Sequence, residues 1–157
     1  VLESIVWLKG DQFKIEFEDK ILMSNTISQW TYLKEVNELQ ISNYDPAAMI
    51  FLPSKLFKLY SDKYIYRIVK EFKNQEGELI KNVELTPVDK DLDIFKIIVS
   101  INTKKTSLIT AKMFEKSGFK YSYKINSLLT NIDISEDFFI FDTKPYNITT
   151  DDITDLR

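Results

Sequence analysis

Three carboxylates at alternate positions, Asp89-Lys90-Asp91-Leu92-Asp93, are the arrangement in this chain that most suggests chemistry. The spacing is that of the opening of a calcium loop. Such a loop needs a Gly at its sixth position for the sharp turn and a bidentate Glu at its twelfth. Counted from Asp89, those positions hold Ile94 and Ser100, so the segment reads as a solvated loop. Asp151, Asp152 and Asp155 read as a solvated terminus in the same way. The chain has no Cys and no His. Thiol nucleophiles, disulfides, Cys/His zinc sites and imidazole acid–base catalysis are all excluded by that absence. A glycosidase would need two acids in one cleft with environments that split their pKa values. Most acids here alternate with apolar residues on strand-like runs and belong to the wet face. There is no Gly-rich phosphate loop, nucleophile elbow or triad set. The expectation is a protein that is not an enzyme and uses no metal and no cofactor. Asn147-Ile148-Thr149 matches a glycosylation sequon, a pattern short enough to arise by chance.

The elements that would position any functional surface come from patterning. At 157 residues, 44% hydrophobic and 29% charged, the chain is expected to form one domain, 1–157, with a sizeable core. A net charge of −3, with basic residues scattered among acidic ones, gives no case for nucleic acid. No apolar run approaches the roughly eighteen residues of a membrane helix. Absent Cys fits the cytosol and equally an exported protein without disulfides. The chain opens on Val1 in a strand-like run, without Met or a signal peptide, and we expect an N-terminal element to precede it.

The dominant period is two. Phe13, Ile15 and Phe17 alternate with Lys14 and Glu16. Phe95, Ile97, Val99 and Ile101 form a second apolar row. Phe119, Tyr121, Tyr123 and Ile125 alternate with Lys120, Ser122, Lys124 and Asn126. This is the half-buried antiparallel pattern. The three glycines, Gly10, Gly77 and Gly118, lie between such runs, where hairpins need positive φ, and residues 102–105 make a fourth turn. The spacing predicts strands near 2–9, 12–18, 20–24, 28–33, 36–42, 63–72, 79–86, 94–102, 106–115, 118–126 and 138–142, a nearly all-β chain suited to a sandwich or an open barrel. One segment breaks the period. After Pro53, Leu56, Phe57 and Tyr60 fall at helical spacing, preceded by the tetrad Met49, Ile50, Phe51 and Leu52. A short helix is expected there, its apolar side laid on the sheet. Residues 143–157 read as a polar, extended tail that Ile148, Ile153 and Leu156 could pin.

So many strands offer more apolar face than one short helix can cover. The sheet could close on itself, a preceding helix could cover it, or its concave face could hold a ligand.

The ordered segments IVWLKGDQFKIEF, ILMSNTISQWTYLKEVNELQISNYDP, PSKLFKLY, VELTP, FKIIVSINTKKTSLITAKMFEKSG, FKYSYKI, DFFIFD and DLR span essentially the whole chain. In order and spacing they resemble the periplasmic carrier proteins that localise outer-membrane lipoproteins in Gram-negative bacteria. The resemblance implies a mainly β fold: a strongly curved antiparallel sheet, an incomplete barrel, with short helices closing its concave face. It implies a signal peptide and an N-terminal helix before Val1, a periplasmic location and a monomer. The implied activity is carriage of lipoprotein acyl chains from an inner-membrane lipoprotein-releasing transporter to an outer-membrane acceptor. The implied cavity residues are Phe13, Ile15 and Phe17, with Trp30 and Tyr32 on the core or cavity wall. The implied lid is Met49, Phe51, Leu52, Leu56 and Phe57. Two departures stand out. Asn25-Thr26-Ile27-Ser28-Gln29 replaces the usual Asp-Gly-Lys-Thr before the Trp, and Gly10 stands where many carriers have an Arg that latches the lid. The alternative on the same fold is a lipid- or lipoprotein-sensing interaction module. An acid-dependent hydrolase is the third reading, and it requires two buried carboxylates to converge.

Overall fold

The computed structural model describes residues 3–45 and 63–157. Among them the chain is mainly β and forms two compact units, one of 3–45 with 132–157 and one of 63–131. The expected helix after Pro53 and the tetrad before it lie outside the described residues.

The first unit is built on a six-stranded sheet. β1 (Ser4–Lys9), β2 (Gln12–Phe17), β3 (Lys20–Ser24), β4 (Ser28–Leu33) and β5 (Glu38–Asn43) run as a continuous antiparallel meander. β2, β4 and β5 alternate largely apolar and polar residues, β1 and β3 carry short apolar runs (Ile5 to Leu8 and Ile21 to Met23), and each turn is short. Gly10 supplies the left-handed backbone of the first turn, with φ 60°. In the β4–β5 turn Asn37 does so with φ 52°, and its Oδ1 accepts a hydrogen bond from the Tyr32 hydroxyl at 2.9 Å.

The strand expected over 138–142 does not form. Phe138, Phe139, Ile140 and Phe141 are apolar in succession, a run whose pattern alone does not separate strand from helical turn. Glu136–Phe139 instead make a single 3₁₀ turn that buries Phe139 completely. The tail beyond it is ordered. Lys144–Tyr146 and Thr150–Asp152 are two further 3₁₀ turns, the second closed by a capping box between Thr149 and Asp152. β11 (Ile153–Asp155) then pairs in parallel with β5. Ile148 and Ile153 pin this tail to the sheet through their side chains. Leu156 contributes its backbone N–H to the Ile41 carbonyl while its side chain stays exposed.

The second unit is a five-stranded antiparallel sheet in the order β10-β9-β8-β7-β6: β6 (Tyr64–Lys73), β7 (Leu79–Pro87), β8 (Ile94–Asn102), β9 (Ser107–Glu115) and β10 (Lys120–Lys124). Cross-strand register places Leu85, Ile97 and Met113 in one row and Val83, Val99 and Ala111 in the next. Leu85, Ile97, Val99, Ala111 and Met113 are buried. The other face is polar at its centre. Thr110 donates to the Ser100 hydroxyl at 2.8 Å, and Ser100 donates to Asn82 Oδ1 at 2.9 Å. Bulges near Val69, Phe95 and between Ser100 and Ile101 twist these long strands.

Buried polar groups lock two turns of this unit together. Glu78 is buried at the start of β7, and its carboxylate accepts a 2.6 Å hydrogen bond from the buried Asn102 side chain at the end of β8. Lys105 of the β8–β9 turn lies 3.2 Å away. Together with the Asn102 amide, it holds the Glu78 carboxyl below its ordinary pKa.

Candidate functional site

Residues paired directly across an antiparallel ladder share a face. Phe13 pairs with Leu8 and Ser24, and Ile15 pairs with Val6 and Leu22. Val6, Leu8, Phe13, Ile15, Phe17 and Leu22 therefore make one apolar surface across β1–β3. Phe13 is fully buried and Ile15 nearly so, while Phe17, Leu22 and Tyr44 are half-buried around them. The Tyr44 ring lies 6.5 Å from that of Phe13.

Trp30 pairs with Met23 and Ile41, and Tyr32 with Ile21 and Leu39. Met23 in turn pairs with Lys14, and Ile21 with Glu16. Trp30 and Tyr32 thus occupy the opposite face from Phe13, Ile15 and Phe17. The five residues expected on one cavity wall fall into two separate groups, because the β2–β3 and β3–β4 registers put the odd positions of β2 and the even positions of β4 on different sides. The face of Trp30 and Tyr32 is already occupied. Phe141 and Tyr146 of the tail, stacked on each other, pack tilted against Tyr32 at 5.5 and 4.7 Å between ring centroids, and Ile148 and Ile153 pack against the same cluster. Trp30 and Tyr32 are core under the tail.

The two faces change character in opposite directions along the sheet. On the Phe13 face, β1 and β2 are mainly apolar, β3 presents Leu22 between Lys20 and the buried Ser24, and β4 and β5 present Gln29, Thr31, Gln40 and Ser42. On the Trp30 face, β2 presents Lys14 and Glu16, and β3–β5 are apolar. Here the Lys14 ammonium lies 5.2 Å from the centroids of both the Trp7 and Phe138 rings, which themselves pack 5.6 Å apart. Glu16 lies 3.4 Å from Lys34, whose Nζ also donates to the Phe17 carbonyl at 2.7 Å. The wet face expected for Lys14 and Glu16 is in fact a fastening for the tail, reinforced by the 2.8 Å pair of Lys9 with Glu136. Sequence reasoning missed Phe138, Phe141 and Tyr146 as the cover of this face. Their signal was the aromatic density of 138–146, which carried no period to say what it packs against.

The lid residues Met49, Phe51, Leu52, Leu56 and Phe57 lie outside the described residues. Gly10, at the position of the latch Arg, sits in a tight turn with open space around it. Among the described residues no three His, Cys, Asp or Glu side chains converge as metal ligands. Asp91 N–H donates to the Asp89 carboxylate at 2.9 Å, so those acids shape their own turn. Among the described residues no helix is long and apolar enough to cross a membrane.

No family model and no curated protein matches the sequence. Among solved structures, the chain is similar to an uncharacterized conserved protein from Thermus thermophilus, with a TM-score of 0.52 at 12% identity, over 98% of this chain and 82% of that one. That likeness is one of fold. Lower similarity, at a TM-score of 0.40 in both cases, links it to a putative outer membrane lipoprotein-sorting protein domain from Vibrio parahaemolyticus, 18% identical, and to a LolA superfamily protein from Nitrosomonas europaea, 13% identical. Each of these alignments covers 76% of this chain, which spans 57% and 58% of their respective lengths.

Proposed function

We propose that this protein is a non-enzymatic carrier that binds the acyl chains of lipoproteins on the Phe13–Ile15–Phe17 face of its six-stranded sheet. In this reading it works in the periplasm, as a monomer, between an inner-membrane releasing transporter and an outer-membrane acceptor. The observation that carries the proposal is the change along that one face from an apolar part on β1 and β2, extended by Leu22, to a mainly polar part on β4 and β5. A lipoprotein's anchor region has the same division: hydrocarbon chains joined to an amide-rich peptide. Apolar side chains would receive the chains, and Gln29, Thr31, Gln40 and Ser42 offer donors and acceptors to the peptide. The order of sequence segments that resembles the lipoprotein carriers supports the same reading.

The energetics suit transport. Burying acyl methylenes is worth about 0.8 kcal/mol each, so one sixteen-carbon chain offers on the order of 10 kcal/mol before ordering costs. A carrier must also release its cargo, and a wall of Phe, Ile and Leu grips by area without directional bonds.

Native mass spectrometry with a triacylated lipopeptide tests this. The expected result is a one-to-one complex that Phe17→Glu removes while the variant stays folded. A folded wild-type protein that binds no lipopeptide would reduce the face to core and leave a protein-interaction module as the reading.

A further inference from the structure

The register of the five-stranded sheet gathers basic residues that lie scattered in the sequence. Arg67 pairs with Glu84 and Lys70 with Asn82, and these partners pair in turn with Ile98 and Ser100. Lys112 lies opposite Ile98, Thr110 opposite Ser100 and Phe114 opposite Lys96. On β10, Lys120, Ser122 and Lys124 pair with Phe114, Lys112 and Thr110. Directly paired residues share a face. Arg67, Lys70, Lys96, Lys112, Lys120 and Lys124 therefore stand on one side, opposite the buried Leu85–Ile97–Met113 row. Lys96 is half-buried and the others are exposed. Among the described strand residues of this unit, Glu84 is the one acid on that side, and it is paired with Arg67 at 2.9 Å. Six basic residues less one acid leave a charge of +5 on this face of a chain whose net charge is −3.

We infer that this face is a docking surface for a layer of anionic phospholipid headgroups. Three observations select that occupant. The charges are spread in two dimensions. Neighbouring strands lie about 4.8 Å apart and alternate residues about 6.8 Å apart along a strand, so Lys96, Lys112, Lys120 and Lys124 form an array across β8–β10 that can meet a sheet of anions at several points at once. The cations are also of the right kind. All but Arg67 are lysines, and an ammonium attracts as a point charge, without the fork that lets Arg grip one phosphate bidentately. The Arg67 guanidinium is already engaged by Glu84. Such a set suits a fluid headgroup layer better than one fixed anion. Finally, Phe72 and Phe114, the rings that the ladders place on this face, each have a lysine over them. The Lys70 ammonium lies 5.3 Å from the Phe72 centroid, and that of Lys96 lies 4.5 Å from the Phe114 centroid. Single-stranded nucleic acid binds where such rings are open for bases to stack on. This face belongs to a different sheet from Phe13 and stands independently of the carrier reading.

The experiment is cosedimentation of the full chain with phosphatidylcholine vesicles that contain a graded share of phosphatidylglycerol. Binding is expected to rise with the anionic share, to vanish on phosphatidylcholine alone and to fall as salt screens the charges. Lys112→Gln combined with Lys124→Gln is expected to weaken partitioning by roughly 25-fold, about fivefold for each charge removed. Its thermal melt and its lipopeptide complex should be unchanged. Lys73→Gln combined with Lys144→Gln removes the same net charge elsewhere, since Lys73 pairs with Leu79 on the opposite side and Lys144 belongs to the first unit. That variant should bind vesicles nearly as wild type does. Absence of wild-type binding to the anionic vesicles overturns the proposal, as does binding indifferent to the anionic share. Equal losses in the two double variants assign the attraction to net charge and also overturn it. Tighter binding of a single-stranded oligonucleotide at equal phosphate concentration, lost with Lys112 and Lys124, gives the face to nucleic acid instead. A wild-type protein that binds the vesicles but no lipopeptide would strike the carrier reading and leave this one standing.

Discussion

Ile15 and Tyr32 emerge from opposite faces of one sheet, although each lies within two strands of the other. Ile15 pairs with Leu22, whereas Tyr32 pairs with Ile21, and that single step of register separates a candidate ligand wall from a sealed core. The two faces should therefore be separable by mutation. Tyr32→Ala removes a ring from beneath Phe141 and Tyr146 and is expected to lower stability by about 3–5 kcal/mol. Below its unfolding midpoint it should still bind a triacylated lipopeptide. Phe17→Glu sits on a half-buried position, where it should change the urea midpoint far less and abolish binding. Calorimetry and urea titration on both variants decide this, and a Tyr32→Ala protein that is folded yet unable to bind would undo the separation.

The first ten strands were legible because each carries an alternation or a short β-branched and aromatic run bounded by turn residues. Their observed ends differ from the expected ones by a residue or two. The division into two sheets was not legible, since alternation says which residues share a face of one strand and nothing about where a ladder stops. Membership of the candidate site was legible in part. Phe13, Ile15 and Phe17 belong together by period alone. Whether Trp30 joined them depended on the β2–β3 and β3–β4 registers, which are long-range pairings. The tail was misread because its aromatic residues cover the sheet from 3₁₀ turns, whose short runs leave little periodic trace.

The Lys14 ammonium, set against the packed Trp7 and Phe138 rings, is a fastening that can be measured. Its side chain is only 17% exposed, so the cation–π contacts are partly desolvated. Lys14→Met keeps the stem and removes the charge. It should cost about 1–2 kcal/mol, with a smaller further cost when Phe138→Leu is added, because the two changes remove the same contact. Strictly additive losses in a double-mutant cycle would mean that Lys14 and Phe138 do not interact.

Thr106 is a β-branched residue in the left-handed region, at φ 49°, in the turn between β8 and β9. That conformation crowds its Cβ against the backbone at a cost of roughly 1–2 kcal/mol. Asn tolerates the same backbone without glycine's freedom in the unfolded chain. Thr106→Asn should stabilise the protein by about 1 kcal/mol in urea denaturation. An unchanged or lower midpoint would show that the turn relaxes at no cost, or that the hydroxyl has a role of its own.

Glu78 makes the five-stranded unit sensitive to acid. The Asn102 amide, then Lys105 and Asn74, favour its charged form against the opposing effect of burial, so its pKa in the folded chain lies below the ordinary 4.5. A carboxylate with a depressed folded pKa contributes stability that is complete above its unfolded pKa and disappears as pH falls through the folded value. The contribution is therefore present at neutral pH and declines below about 4.5. Glu78→Gln should lower the urea midpoint at pH 7, since an amide cannot accept from Asn102 and Lys105 with the same charge. The gap between wild type and variant should narrow steadily as the buffer is taken down toward pH 3, where the wild-type carboxyl gains its proton. Two midpoint curves that stay parallel across that range would show that Glu78 is not the titrating link between the two turns.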